Sequence, residues 1–268
     1  MNKLSFLLIP FLGLISCNES TSTIEEKISY KNKGHELVAK MTEKVGRYKD
    51  LREKKDVTYT YRYETPDGKV DLSTEKYLFN GELSYARYHR HDRTFPESDG
   101  DIEMAYDGKE YWLKLGNELV SDPLKIDVVK FKRPTNFYWF AMFQKLLSPG
   151  VNYEYLGEKQ LNNTAYEIVK ITYESKNDKP TDIYQLYINK ETHLVDQFLF
   201  TVVDYDIVDT PFLMKLEYEK IEGMLIPTKR RYKKSTWDAV VTDEPWILVN
   251  WTDIKFNNGL TKEDFHKG

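Results

Sequence analysis

Hydrophobic and polar positions change period along this chain, and each change marks a different element. Behind Met1-Asn2-Lys3, apolar residues run almost unbroken from Leu4 to Ile15. That run is short of the ~20 residues a membrane-spanning helix needs, and its weakly positive start is that of a secretory signal. Asn18 to about Lys33 is rich in Ser, Thr, Glu and Lys, which reads as a flexible linker. Next, Leu37, Met41, Val45, Tyr48 and Leu51 recur every three or four positions, with Glu36, Lys40, Glu43, Lys44 and Lys49 mostly between them. This spacing predicts one amphipathic helix that needs a surface to lie against.

From Val57 the period drops to two. Val57, Tyr59, Tyr61 and Tyr63 alternate with Thr58, Thr60 and Arg62, placing the first set on one face of a strand. Turn signals follow at Pro66-Asp67-Gly68, Asn80-Gly81, Asp107-Gly108 and Gly116-Asn117. Asn-Gly and Asp-Gly favour tight hairpin turns with positive φ, so an antiparallel meander is expected through about Val120. Pro134 to Ser148 breaks the alternation, being apolar nearly all round, and the prolines at its two ends predict a short buried helix. Strands are expected again at Tyr153–Gly157, Tyr166–Tyr173, Ile183–Ile188, Leu194–Val203, Phe212–Tyr218 and Trp246–Phe256. Thr228 to Ser235 is a further strand candidate, and its basic residues Lys229, Arg230, Arg231, Lys233 and Lys234 read as a solvated outer face, with a surface against anionic head groups as the alternative. With no internal repeat and no dividing linker, the pattern predicts one curved antiparallel sheet wrapped on a helix, an α+β arrangement dominated by β.

Charge and cysteine usage narrow the class. The net charge of −4 argues against nucleic acid as a partner, since that needs a basic face. Tyr, Phe and Trp number 20, 13 and 5, a composition that favours strands. Cys17 is the chain's one cysteine, and it ends the sequence Leu14-Ile15-Ser16-Cys17. This tetrapeptide resembles the lipobox of bacterial lipoproteins. The resemblance implies a signal peptide over 1–16, a Cys17 carrying diacylglycerol and an amino-terminal acyl group of the palmitate type, and a linker over 17–33 leading to a domain over 34–268. Anchoring is then by lipid, and Cys17 is not free for a disulfide or for catalysis.

A family pattern runs through the second half. Leu146-Leu147-Ser148-Pro149-Gly150, Tyr153-Glu154-Tyr155-Leu156-Gly157-Glu158 and Ala165-Tyr166-Glu167-Ile168-Val169 read as helix, strand, turn, strand. Tyr187 to Leu194, Glu222 to Thr228 and Trp251 to Asn257 continue it, with Leu260 and Phe265 behind. The pattern resembles the outer-membrane lipoprotein-sorting group with the LolA/LolB-like fold, and more narrowly lipoproteins of that type from Bacteroidetes-like bacteria. The resemblance covers about residues 35 to 265. It implies an incomplete antiparallel β-barrel of about eleven strands wrapped on helices, with an apolar cavity that in carrier members holds acyl chains. Shared fold does not transfer cargo, and no cargo-contact residue matches one for one.

Trp112, Phe137, Trp139, Phe140, Phe143 and Leu147 are the residues expected to line a hydrophobic-ligand pocket, or else to fill the core between helix and sheet. His89 and His91 have a spacing used by some metal sites, but Arg87, Arg90 and Arg93 crowd them with positive charge and no third ligand is evident. Neither Glu103, Asp107 and Glu110 nor Asp204, Asp206 and Asp209 forms a recognisable catalytic pair, and no nucleophile or phosphate-binding motif is present. No metal, cofactor or catalytic residue is therefore expected. The expected protein is a non-enzymatic envelope binding protein, more at the outer than the inner membrane. It would hold an acyl chain, a lipid or a lipoprotein; the alternatives are an interaction or sensor module with a filled core and, behind it, a hydrolase.

Overall fold

The computed structural model describes residues 29–175 and 179–267. The expected signal peptide, Cys17 and the linker as far as residue 28 lie outside the described residues. Asn32 caps helix α1 (Lys33–Val45) by accepting from the His35 amide, and its own Nδ2 donates to the Tyr153 carbonyl at 2.8 Å. The single helix expected here is two. Gly46 ends α1 with φ +100°, a conformation that favours glycine, and α2 (Tyr48–Glu53) follows. A Cβ on Gly46 would come within 2.5 Å of the Met224 side chain, so the break also makes room for a close contact.

Among the described residues thirteen strands form one antiparallel sheet. The first wing is β1 (Asp56–Glu64), β2 (Val70–Leu78), β3 (Leu83–His91), β4 (Ile102–Tyr106), β5 (Tyr111–Leu115) and β6 (Glu118–Leu119). The second is β7 (Val151–Leu161), β8 (Thr164–Tyr173), β9 (Tyr184–Asn189), β10 (Val195–Val202), β11 (Ile207–Ile221), β12 (Met224–Lys234) and β13 (Ile247–Phe256). The strand order runs β6 to β1, then β13 to β7, so the first and last strands join the wings at the centre and the sheet stays open. Glu222-Gly223, both at positive φ, close a two-residue hairpin between β11 and β12. This is the open antiparallel sheet wrapped on helices anticipated from sequence, with thirteen strands against about eleven expected.

Helix α3 (Pro123–Lys145) carries the chain from the β6 edge to the β7 edge. Asp122 caps it, accepting from the Leu124 amide at 3.0 Å, and Pro123 occupies the first helical position. The start expected at Pro134 is thus corrected. Pro134 lies inside α3 on its exposed side, where water can serve the carbonyl left without an N–H.

Alternation gives the sheet two covered faces. Val169, Leu186, Phe198 and Met214 point toward α1 and α3, while their neighbours Ile168, Tyr187, Leu199 and Leu213 build a second cluster on the other side, with Ala239. The first wing repeats this. Ala86, Met104 and Leu113 meet α3 through Val129, and Tyr85, Ala105 and Trp112 meet Phe265 on the far side.

The expectation of a wholly solvated face on β12 is also corrected, for Arg230 and Lys233 are buried. Lys233 Nζ donates to the Thr242 and Glu244 carbonyls at 2.7 Å and lies 4.3 Å from the Trp246 ring. The segment after β12 folds back over that face and supplies these acceptors, whereas Lys229, Arg231 and Lys234 stay exposed.

Candidate functional site: a cavity between helix α3 and the sheet

Beyond the tightly packed centre of α3, the sheet and helix diverge around a cavity of about 630 Å³. Its size falls in the ~300–1,000 Å³ range of sites that hold one small molecule. Period-two alternation aims the wall residues inward. Tyr61 and Tyr63 come from the end of β1, Tyr232 from β12, and Val249 and Trp251 from β13. Phe200, Phe212 and Met214 contribute from β10 and β11, and α3 adds Phe131, Thr135 and Trp139. The loop after β3 supplies Arg93 to Glu97 at the rim. Within it, Phe95 sits at φ +52°, a backbone that a bulky side chain seldom adopts, so this rim is strained. Asp71 holds the loop by accepting from the amides of Arg93 and Thr94 and from the Thr94 hydroxyl at 2.7 Å.

The six residues singled out by sequence are distributed around the helix rather than gathered. Trp139 is on the cavity wall, with Phe200 edge-on at 5.1 Å. Phe137 and Phe140 pack in the closed core against Tyr59, Tyr77 and Phe79, and Phe143 faces Phe198 beside α1. Trp112 lies on the opposite face of the sheet, its Nε1 donating to the Phe265 carbonyl at 2.7 Å. Leu147 is exposed just past the helix, where Leu146 takes the buried position.

Polar chemistry on the wall comes from residues that sequence reasoning passed over. Arg230 lies 3.7 Å over the Trp251 ring, with Nε donating to the Pro227 carbonyl and Nη2 to the Trp139 carbonyl, each at 3.0 Å. Burial draws its guanidinium down to about 10, still charged at neutral pH. Lys132 donates to Thr94 Oγ1 at 2.7 Å, and burial lowers its ammonium to about 8 against the opposing pull of Asp71. The Arg93 guanidinium covers the Tyr63 ring at 4.2 Å, and the Tyr63 and Tyr232 hydroxyls are bonded to each other. A signal for Arg230 was present, because Ile226, Thr228, Arg230 and Tyr232 share one strand parity and their alternation continues the apolar face.

Behind the wall, Arg133 and Glu75 form a fully buried ion pair at 2.8 Å. Glu75 also accepts from Ser73 and Tyr77. The histidines are engaged separately: His89 Nε2 bonds Thr74 Oγ1 and His91 Nε2 bonds the Gly100 carbonyl, both at 2.9 Å. Among the described residues no group of three His, Cys, Asp or Glu is placed to hold a metal ion. Asp182, whose carboxyl burial raises with help from Asp204, lies off the cavity and accepts from the Val203 amide. Glu103 accepts from the Tyr85 hydroxyl, Asp107 closes its turn through the Lys109 and Glu110 amides, and Glu110 pairs with Lys267. No helix among the described residues is long and apolar enough to cross a membrane.

No protein-family model and no curated protein matches the sequence. Solved structures do match. A LolA superfamily protein from Nitrosomonas europaea is similar over 87% of this chain and 97% of its own, with TM-score 0.50 and 14% identity. A DUF1329 family protein from Desulfovibrio piger covers 87% of this chain and 95% of its own, with TM-score 0.49 and 14% identity. At such identity the first of these shows a shared LolA-like fold.

Proposed function

We propose that this chain is a cell-envelope binding protein, anchored by lipid on Cys17, that holds an acyl chain of a lipid or lipoprotein in the cavity beside α3 and performs no chemical step. The signal peptide over 1–16 and the linker over 17–33 belong to the same proposal, with the outer membrane as the preferred site of anchoring. One observation carries the reading: the space between α3 and the sheet is an open, largely aromatic and aliphatic cavity, not a filled core. Apolar surface buried there would drive binding at about 25 cal/mol per Å². The shared LolA-like fold supports it, because the family pattern implies an acyl-binding cavity in this position. An open cavity also weighs against an interaction module whose interior is filled by its own side chains.

The test is native mass spectrometry of the full chain carrying Cys17→Ser, so that any lipid released is cargo and not anchor. A stoichiometric fatty acid or lipid is expected. A blank spectrum after incubation with envelope lipids would overturn the reading and turn attention to protein partners. Trp139→Glu places a charge on the apolar wall, and it should abolish retention of that lipid in a variant whose circular dichroism remains that of the folded chain.

A further inference from the structure

We propose that the cavity selects a single-chain amphiphile with an anionic head, and that Arg230 binds that head in the depth of the cavity. The inference rests on the reading of the cavity as an acyl-chain site and specifies its ligand. Three cations stand on the wall, but they are not equivalent. Arg93 and Lys132 belong to the rim, with 36% and 24% of their side chains exposed, and Asp71 lies 3.8 and 4.0 Å from them. Their charge already has a carboxylate nearby.

Arg230 is only 5% exposed, and no carboxylate among the described residues lies within 4 Å of it. A buried guanidinium without a counter-ion is costly to keep, and neutral carbonyls and an indole face compensate only part of its lost hydration. Its bonds to the Pro227 and Trp139 carbonyls use Nε and Nη2, so Nη1 has no bond to a described residue. The Trp251 indole on which it lies also has an unpartnered, buried Nε1. A carboxylate or phosphate matches this uncompensated charge, since guanidinium bonds to either are charge-assisted. The apolar surface of Phe200, Phe212, Met214 and Val249 then receives the chain. A volume of about 630 Å³ suits one chain, entering head first.

The experiment titrates the full Cys17→Ser chain, below micelle formation, with four probes of one chain length: hexadecanoate, hexadecyl phosphate, hexadecan-1-ol and hexadecyltrimethylammonium. Tryptophan fluorescence reports binding, because Trp139 and Trp251 are on the wall. At least one anion should bind about tenfold tighter than the alcohol, with the ammonium weakest. Which anion wins identifies the head as carboxylate or phosphate. Arg230→Gln should bring the anions to the level of the alcohol and leave the alcohol unchanged. Equal binding of alcohol and anions by the Cys17→Ser chain, or a preference that survives Arg230→Gln, overturns the proposal while leaving the acyl-chain reading intact. Failure of all four probes overturns both. Should Arg230→Gln not fold, Arg93→Gln and Lys132→Gln decide. A preference kept in both supports the deep site, and its loss in either moves the head to the rim and overturns the proposal.

Discussion

The most consequential single contact inside the molecule is the ion pair of Glu75 on β2 with Arg133 on α3, because both side chains are wholly removed from water. Ser73, Tyr77 and Asn136 also donate to Glu75, and the Tyr59 hydroxyl bonds that of Tyr77 at 2.8 Å. Such a pair is weak evidence of net stabilisation, but removing one partner strands the other. Glu75→Gln should therefore cost about 3–5 kcal/mol in urea unfolding. Adding Arg133→Met to it should recover part of that loss, since the uncompensated guanidinium is then gone. A double variant as unstable as the sum of the two single ones would sink this account. None of this was legible in the sequence. The partners are far apart in the chain, and the inward positions of β2 are Asp71, Ser73, Glu75 and Tyr77, so its buried face lacks the apolar alternation that marks one elsewhere. Asp56 hides in the same way. It is buried at the start of β1 and accepts from the amides of Asn258, Gly259 and Leu260 beyond the last strand.

Among the elements, α3 is the one on which both core and cavity depend. Its buried residues Val129, Arg133, Phe137, Phe140 and Gln144 recur at helical spacing, and Phe140 stacks on both Tyr59 at 5.2 Å and Trp251 at 5.4 Å, which also contact each other. Phe140→Ala should destabilise the fold by about 3–5 kcal/mol, a loss read directly from the shift in the denaturation midpoint. A cost below about 1 kcal/mol would mean that the cluster collapses around the gap, and that the helix is not clamped there. Sequence captured the buried half of this helix because its apolar residues crowd every side. It missed the first turns because Pro134 read as a boundary, while the cap at Asp122-Pro123 carried the true one. Most strands and hairpins were legible, since period two and paired turn residues are local signals, although β2 to β6 were expected only as a meander and β11 begins at Ile207, before the expected Phe212. The face of Trp112 was not. Tyr111, Trp112 and Leu113 are all apolar, so parity on β5 gives no preference, and only the partner strands decide.

For the whole molecule, packing a sheet with so many tyrosines makes stability a function of alkaline pH. Burial raises the phenols of Tyr59, Tyr77 and Tyr184 well above their usual value near 10, with the Glu75 charge adding to the first two. As the pH passes 10 the unfolded chain loses these protons first and the folded chain keeps them, so stability falls as pH rises. Below pH 10 that contribution is fully present. Lys132 works the other way. Its folded value near 8 lies below that of a free lysine, so between about 8 and 10.4 the folded chain has already released a proton that the unfolded chain still binds, and stability rises with pH. Lys215, which burial also lowers, adds to this rise, and above pH 10 so does Arg230, whose folded value is near 10. The buried tyrosines outnumber these cations, and each such group contributes a slope of at most about 1.4 kcal/mol per pH unit. The expected profile is therefore a shallow rise from pH 8 to 10 followed by a steeper fall. Urea midpoints measured from pH 7 to 11 test it. Lys132→Met should remove most of the rise and leave the fall, while Tyr184→Phe, which deletes a buried phenol and keeps its ring, should make the fall shallower. A profile flat through pH 11 would mean that the tyrosine hydroxyls reach water in the folded state, and the closed aromatic core beside the cavity would then have to be abandoned.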